Sequence, residues 1–157
     1  MKLEDYYRNR LSQEGYDLFA VFSRFEYAMK KGGFRKEKLP DAAWWTFADT
    51  LPDSFFRTMQ DAPEASIYFT KPPDHLINTD DGGVKWSENP KLPTDARSLF
   101  DSIKKARNNL FHGDKKHDNE RDNRLMQAAL FILNAAFEEA EKDPAFNEFI
   151  GAMEFGL

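Results

Sequence analysis

Apolar residues recur at helical spacing in three long segments of this 157-residue chain, at about residues 12–31, 95–112 and 120–142. Each set repeats every three or four positions, which places its members on one face of an α-helix. The sets are Leu18, Phe22, Phe25 and Met29, then Leu99, Ile103, Ala106 and Leu110, then Leu125, Ala129, Ile132 and Ala136. Because each helix must bury its apolar face, the pattern predicts an antiparallel helical bundle.

The chain between the first two of these helices is less regular. Aromatic residues at helical spacing predict another helical region over Asp41–Gln60, which Pro52 should break or restart. From 61 to 93 no helical period survives, and we expect an irregular insertion that could contain a short β-hairpin. Its candidate strands are Ile67–Phe69, His75–Asn78 and Val84–Trp86, with a turn at Asp80–Gly83.

Near the end of the chain, Pro144 suits the first turn of a short final helix over Pro144–Met153. The length favours one domain with a sizeable core, to which 15 phenylalanines can contribute. The sequence therefore predicts an all-α fold, a single helical domain over 1–157 with four to five helices and one insertion at about 61–93.

The formal charge of −5 is unevenly distributed along the chain. Residues 138–157 carry six acidic residues and one lysine, whereas residues 102–137 carry seven basic and four acidic residues. Basic residues are densest in two stretches, Lys30–Lys38 and Lys104–Arg124. The net acidity therefore does not exclude a nucleic-acid partner, and we expect the acidic tail and the second basic stretch to lie on different faces.

The chain contains no cysteine, which excludes disulfides, thiolate metal sites and cysteine nucleophiles. Its first residues, MKLEDYYRNR, carry charges where a signal peptide has an apolar run. No segment approaches the roughly 18 uninterrupted apolar residues of a membrane span. We therefore expect a cytoplasmic protein that does not enter a membrane.

The segment RNNLFHG, which begins at Arg107, concentrates the chemically useful side chains. Arg107 is a permanent cation, His112 titrates near neutral pH, and Asn108 offers a carboxamide. Metal-free cleavage of a phosphodiester needs a base, an acid and positive charge on the phosphate, which histidine and arginine can supply. One histidine cannot be acid and base in the same step, which favours two copies meeting at a symmetric interface.

This segment resembles the signature of HEPN domains, in which an arginine and a polar residue precede a histidine near the end of a helix. The resemblance also takes in the helix that contains Phe22–Met29 and the region from Asp95 to about Ala140, but not 61–93. Many HEPN domains are metal-independent endoribonucleases that dimerise to juxtapose two motifs. In them the 2′-hydroxyl of the RNA is the nucleophile and a cyclic phosphate is left. They occur in toxin–antitoxin, antiphage and CRISPR-associated systems.

The resemblance implies that Arg107 and His112 are catalytic, that Asn108 orients one of them or the RNA, and that no cofactor is needed. It further implies an RNA substrate and a homodimer formed through the motif-bearing helices. A regulator such as a nucleotidyltransferase-like antitoxin, or another defence-system protein, is the implied protein partner. Some HEPN domains keep the fold without cleaving RNA, so a non-catalytic module that binds a nucleotide or a protein is the alternative.

Several further residues could support this site. Glu26 lies beside the inward face of the first helix and could orient Arg107 or His112, with a solvated glutamate as the alternative. Four lysines surround the motif and would attract an RNA backbone, unless they are ordinary surface lysines. These are Lys104, Lys105, Lys115 and Lys116.

The motif residues also have purely structural interpretations. These are an ion pair of Arg107 with Asp101 or Asp114, a contact of His112 with the helix C-terminus, and a helix cap at Asn109 or Gly113. Phe100 and Phe111 flank Arg107 and need a covering helix, from this chain or from a second copy. If both belong to an ordinary core, the chain could be a helical interaction protein unrelated to HEPN domains.

Two other groups of residues have both functional and structural interpretations. Trp44, Trp45 and Trp86 could stack on bases, although burial in the core or an interface is the favoured interpretation. His117 with Asp114, Asp118 and Asp122 resembles a set of metal ligands, but we predict no metal site there.

Overall fold

The computed structural model describes residues 2–8, 11–87, 90–112 and 120–155, and only the backbone of Tyr6, Tyr7, Phe111, His112 and Phe155. The protein is mostly helical, which confirms the coarse fold prediction. The helices are α1 (Leu3–Tyr7), α2 (Gln13–Lys31), α3 (Trp44–Thr50), α4 (Phe55–Asp61), α5 (Ile67–Thr70), α6 (Ala96–His112), α7 (Glu120–Ala140) and α8 (Asn147–Phe155). The strands are β1 (Leu76–Asn78) and β2 (Val84–Trp86), and short 3-10 turns cover Pro63–Ala65 and Pro144–Phe146.

The prediction of four to five helices is wrong, because eight α-helices are present in the described part of the chain. One reason is Pro52, which divides the predicted 41–60 region into α3 and α4. Leu51, the residue before this proline, adopts an extended conformation with φ −65° and ψ 157°. The expected break is therefore present, and it separates two short helices.

Helix α2 begins and ends where the sequence predicts, because both ends have local signals. The Ser12 hydroxyl oxygen accepts a hydrogen bond from the backbone N–H of Gly15 at 3.2 Å. At the other end, the Gly32 N–H donates back to carbonyls of the last turn, and Gly33 has a φ of +90°. Only glycine adopts that conformation readily, so the chain leaves the helix there.

Helix α6 is capped at its N-terminus by Asp95. An Asp95 carboxylate oxygen accepts a hydrogen bond from the Ser98 N–H at 2.8 Å, while the Ser98 hydroxyl accepts one from the Asp95 N–H at 3.1 Å. The Ser98 N–H and the Ser98 hydroxyl both donate to the Asp95 carboxylate, which holds the pKa of Asp95 below its ordinary value.

The core is built around Phe47 of α3, which is completely buried. Six aromatic rings surround it with centroid separations of 5.0 to 6.4 Å, and they come from α2, α3, α6, α8 and the segments before α3 and α8. They are Phe25, Phe34, Trp44, Phe100, Phe146 and Phe149. Edge-to-face pairs of this kind hold the helices together more specifically than aliphatic burial alone.

The predicted insertion at 61–93 is only partly an insertion. The hairpin prediction is confirmed, since β1 and β2 pair antiparallel with Leu76 opposite Trp86. The strand predicted at Ile67–Phe69 is wrong: these residues lie in α5 and pack against α7. Their apolar run fits a buried helical turn as well as a strand, and burial against α7 decides the outcome.

Tyr68 anchors this region to the helical body. Its side chain is fully buried, and its hydroxyl donates a hydrogen bond to the Leu125 carbonyl of α7 at 2.9 Å. Burial raises the pKa of this phenol well above its ordinary value. The irregular part of the chain is therefore shorter than predicted and begins only after α5.

The acidic C-terminal helix α8 packs on α2. Its Phe149 ring stacks edge-on against Phe25 at 4.9 Å, and the Ala152 carbonyl accepts a hydrogen bond from the Arg24 guanidinium at 2.7 Å. Phe25 shares the helix face of Phe22, whereas Arg24 is about 200° around the helix from Phe22, so the contact with Ala152 lies on the other side of α2. Within the described residues, no helix is long and apolar enough to cross a membrane.

Candidate functional site

Arg107 is held in place by two residues of α2. Its Nη2 atom lies 3.3 Å from Oε1 of Glu26, and its guanidinium carbon lies 4.7 Å from the centroid of the Phe22 ring. The two charged side chains are about equally buried, with exposed fractions of 27% and 26%. Of the two interpretations of Glu26, the structure therefore shows the contact with Arg107. Glu26 orients this arginine from a neighbouring helix.

Glu26 is in turn oriented by α3. Its second carboxylate oxygen accepts a hydrogen bond from Nε1 of Trp44 at 2.9 Å. The Trp44 ring is buried and stacks against Phe22 and Phe25, with centroids 5.1 and 5.6 Å away. Because the indole is locked by these rings, it fixes the carboxylate that positions Arg107.

The proposed ion pair between Arg107 and Asp101 is wrong. Both oxygens of Asp101 instead accept from Nε1 of Trp45, at 3.0 and 3.1 Å. Phe100 is fully buried, and α3 and α4 of the same chain cover it through Trp44 and Phe55. No second copy is needed to cover Phe100.

The two asparagines after Arg107 have opposite environments. Asn108 is exposed, whereas Asn109 is buried and its side-chain amide donates to the Asp74 carbonyl at 2.9 Å. The suggested cap at Asn109 is wrong, because α6 continues to His112. Asn109 therefore fastens α6 to the segment before the hairpin, and Asn108 is the polar residue that remains accessible.

Lys104 and Lys105 lie half-buried on α6. Burial lowers the pKa of Lys105, partly opposed by the nearby charges of Asp101 and Asp74. His75, exposed at the base of the hairpin, has a lowered pKa from partial burial and from the Lys105 charge. The hairpin thus brings a second imidazole towards the motif-bearing helix.

Several predicted site residues lie outside what the structure describes. The backbone of His112 closes α6, but its side chain is outside the described part, as are Lys115 and Lys116 completely. The alternatives that involved Gly113 and Asp114 fall among residues 113–119, which the structure does not describe, as do His117 and Asp118 of the predicted cluster. The described residues contain no group of three or more metal-ligating side chains.

The expectation that all three tryptophans are buried is wrong for Trp45. Trp44 is buried as expected, but Trp45 is 53% exposed and lies beside α6. The guanidinium of Arg97 lies 5.1 Å from its ring centroid and pairs with Asp49. Neighbouring positions on a helix point about 100° apart, so a Trp-Trp pair at a helix start could have indicated one buried and one exposed ring.

No protein-family model, curated protein or solved structure matches the chain significantly. The candidate site therefore depends on its own geometry and on the resemblance of its motif.

Proposed function

We propose that this protein is a metal-independent endoribonuclease of the HEPN type that acts as a homodimer. The observation that carries the proposal is the fixed position of Arg107, whose partly exposed side chain is oriented by Glu26 and Phe22. This arginine lies five residues before His112 in the sequence. A cation fixed before the substrate arrives stabilises developing charge without reorganising in the reaction. A guanidinium has five N–H donors, so an ion pair with Glu26 and a contact with phosphate are compatible.

Helical geometry supports a composite site made by two copies. Residues five apart on a helix are displaced by about 7.5 Å along the axis and by about 140° around it. On an ideal helix, side chains at positions 107 and 112 therefore point in different directions. A symmetric pair of α6 helices would set the arginine of each copy near the histidine of the other.

The proposed reaction is transesterification within the RNA. The 2′-hydroxyl loses its proton to one His112 imidazole while its oxygen attacks the adjacent phosphorus. The bond from phosphorus to the 5′-oxygen breaks, and the second copy's protonated imidazole donates a proton to that oxygen. Arg107 stabilises the negative charge on the non-bridging oxygens, and the products are a 2′,3′-cyclic phosphate and a 5′-hydroxyl.

A second function, a non-catalytic binding module, is favoured by a different observation. Glu26 and Trp44 hold Arg107 in a network that also joins three helices, and Phe100 is covered within the chain. An arginine in such a network can serve the fold alone. This alternative predicts a protein that binds a nucleotide or protein partner and cleaves no RNA.

Cleavage assays separate the two functions. Purified protein should cut single-stranded RNA in EDTA, leave the matching DNA strand intact, and elute as a dimer. Arg107→Ala and His112→Ala should each lower the rate by about 100-fold or more. Lys142→Ala, a substitution in an exposed pair with Glu139, is the matched surface control.

Three results would contradict the proposal: cleavage that survives both motif substitutions, cleavage that EDTA abolishes, or no cleavage at all. Cytoplasmic location and a role in toxin–antitoxin or antiphage defence are part of the same proposal. In that setting a nucleotidyltransferase-like antitoxin, encoded by the adjacent gene, would restrain the ribonuclease, and its co-expression should suppress toxicity.

A further inference from the structure

A groove with an aromatic wall and a cationic rim lies between the start of α3 and the middle of α6. Its volume is about 470 Å³. Its lining residues include Lys36, Trp44, Trp45, Thr46, Asp101 and Lys104, together with two alanines. The groove thus adjoins the Trp44 side of the network that holds Arg107.

The two basic stretches of the sequence meet at this groove. Lys36 comes from the first stretch, Lys30–Lys38, and Lys104 begins the second. They are far apart in the sequence, and the fold brings them together because Ala42 and Arg35 form a β-bridge that places the loop beside α3. Two ammonium groups on one rim create a site for an anionic ligand.

Trp45 supplies a flat, exposed ring at the same place. Asp101 fixes the indole by accepting from Nε1 with both oxygens, at 3.0 and 3.1 Å. Arg97 lies 5.1 Å from the ring centroid, yet the residue remains 53% exposed. An immobilised exposed tryptophan loses little entropy when a planar ligand stacks on it.

The acidic side chains near the groove have partners within the protein. Asp49 forms an ion pair with Arg97, and its pKa is lowered mainly by that hydrogen bond. Asp101 is occupied by the Trp45 indole. Lys36 and Lys104 outnumber the Asp101 carboxylate, so the groove lining is net positive although the whole chain is acidic.

From these observations we infer that the groove binds single-stranded RNA, with one base stacked on Trp45 and the neighbouring phosphates on Lys36 and Lys104. An aromatic platform beside lysines is how single strands are bound without base-specific hydrogen bonds. The inference rests on the proposed function, because it makes the groove the substrate-binding surface beside Arg107. It concerns binding only and assigns no catalytic role to Trp45.

The test measures binding of a strand that cannot be cut. A short fluorescein-labelled 2′-O-methyl oligonucleotide lacks the nucleophilic hydroxyl, so fluorescence anisotropy reports affinity alone. Trp45→Ala should weaken binding by roughly 5- to 100-fold, and Trp45→Phe should weaken it less. Lys36→Ala and Lys104→Ala should each reduce the slope of log affinity against log salt by about 0.7.

Matched controls lie elsewhere on the surface. Tyr27→Ala removes another exposed ring with a guanidinium over it, that of Arg24 at 4.4 Å. Lys85→Ala removes an exposed lysine of β2 outside the groove. The inference is overturned if Trp45→Ala weakens binding no more than Tyr27→Ala, or if Lys85→Ala changes the salt slope as much as the groove lysines.

Failure of the inference differs from failure of the proposed function. A protein that cuts ordinary RNA but binds the methylated strand independently of Trp45 contradicts the inference alone. A protein that binds this strand through Trp45 yet never cleaves RNA contradicts the proposed nuclease function but supports RNA binding in the groove. Thermal unfolding of each variant shows whether a loss of binding is instead a loss of fold.

Discussion

Arg107 and Trp44 bind opposite oxygens of one carboxylate, that of Glu26. The guanidinium belongs to α6 and the indole to α3, while Glu26 belongs to α2. A single side chain therefore joins three helices and sets the direction of the proposed catalytic cation. This arrangement makes Glu26 a positioning residue, whose removal should affect stability and activity together.

We expect Glu26→Gln to lower the free energy of unfolding by about 0.5–2 kcal/mol, because the amide can still accept from Trp44 but carries no charge for Arg107. A double-mutant cycle with Arg107→Ala should give a coupling energy of about 0.5–1 kcal/mol. Urea unfolding followed by circular dichroism measures both quantities.

The matched control for this cycle is Glu14→Gln on the same helix. Glu14 is also half-buried and accepts from Gln127 of α7 at 3.1 Å, but it does not contact the motif. Its substitution should leave RNA cleavage unchanged, while Glu26→Gln lowers it. Additive effects of Glu26→Gln and Arg107→Ala on unfolding would show that the observed contact contributes nothing.

The adjacent residues Asn108 and Asn109 should show opposite effects on stability and activity. Asn109→Ala leaves the Asp74 carbonyl without its partner and should cost about 1–3 kcal/mol of stability. Asn108 is exposed, so Asn108→Ala should change stability by less than about 0.5 kcal/mol. If the proposed nuclease is correct, Asn108→Ala nevertheless lowers cleavage.

Melting temperatures and cleavage rates of the two alanine variants decide this comparison. Activity of the Asn109 variant should be measured well below its melting temperature, where it remains folded. An Asn108 variant that is destabilised as much as the Asn109 variant would contradict the assigned environments.

Tyr68 should make the protein less stable at alkaline pH. Its pKa is raised by burial in the folded state, whereas the unfolded chain has the ordinary phenol value of about 10. Below pH 10 both states keep the proton, and above it the unfolded state loses it first. The free energy of unfolding should therefore fall by up to about 1.4 kcal/mol per pH unit above pH 10 because of this group.

Tyr68→Phe provides the comparison for that pH dependence. It should cost about 1 kcal/mol near neutral pH, because the Leu125 carbonyl loses a hydrogen-bond donor. Above pH 10 its stability curve should fall less steeply than that of the unchanged protein. Parallel curves in urea titrations from pH 8 to pH 11 would show that the buried phenol does not control alkaline stability.

Local signals account for the parts of the fold that the sequence predicts well. Ser12 and Asp95 start helices by accepting backbone N–H groups within their own first turn, and Gly33 ends one by its positive φ. Such interactions need no partner distant in sequence, so they can be identified from the residues themselves. The same holds for the hairpin, whose turn residues lie between its strands.

The features that the sequence predicts poorly depend on contacts between distant segments. The Ile67–Phe69 run becomes helical because α7 buries it, and Trp45 is exposed because Trp44 takes the place in the core. Glu26 lies 81 residues from Arg107, and periodicity alone left solvent as its alternative. The direction of the Glu26 side chain on α2 indicated that a contact with Arg107 was possible. The packing of α2 against α6 determines that this contact forms.

The contact between α2 and α8 gives a final prediction about where the acidic tail is held. A Cβ atom at Gly32 would lie 2.8 Å from the backbone nitrogen of Phe149 and 2.9 Å from its Cα, whereas a Cβ at Gly151 meets nothing within 4 Å. We expect Gly32→Ala to destabilise the protein by about 1–3 kcal/mol, because the backbone of α8 must move. Gly151→Ala should stabilise it by about 0.5–1 kcal/mol through lower chain entropy in the unfolded state. Thermal unfolding of the two variants distinguishes a tight α2–α8 contact from a loosely attached tail, since a loose tail would tolerate alanine at Gly32.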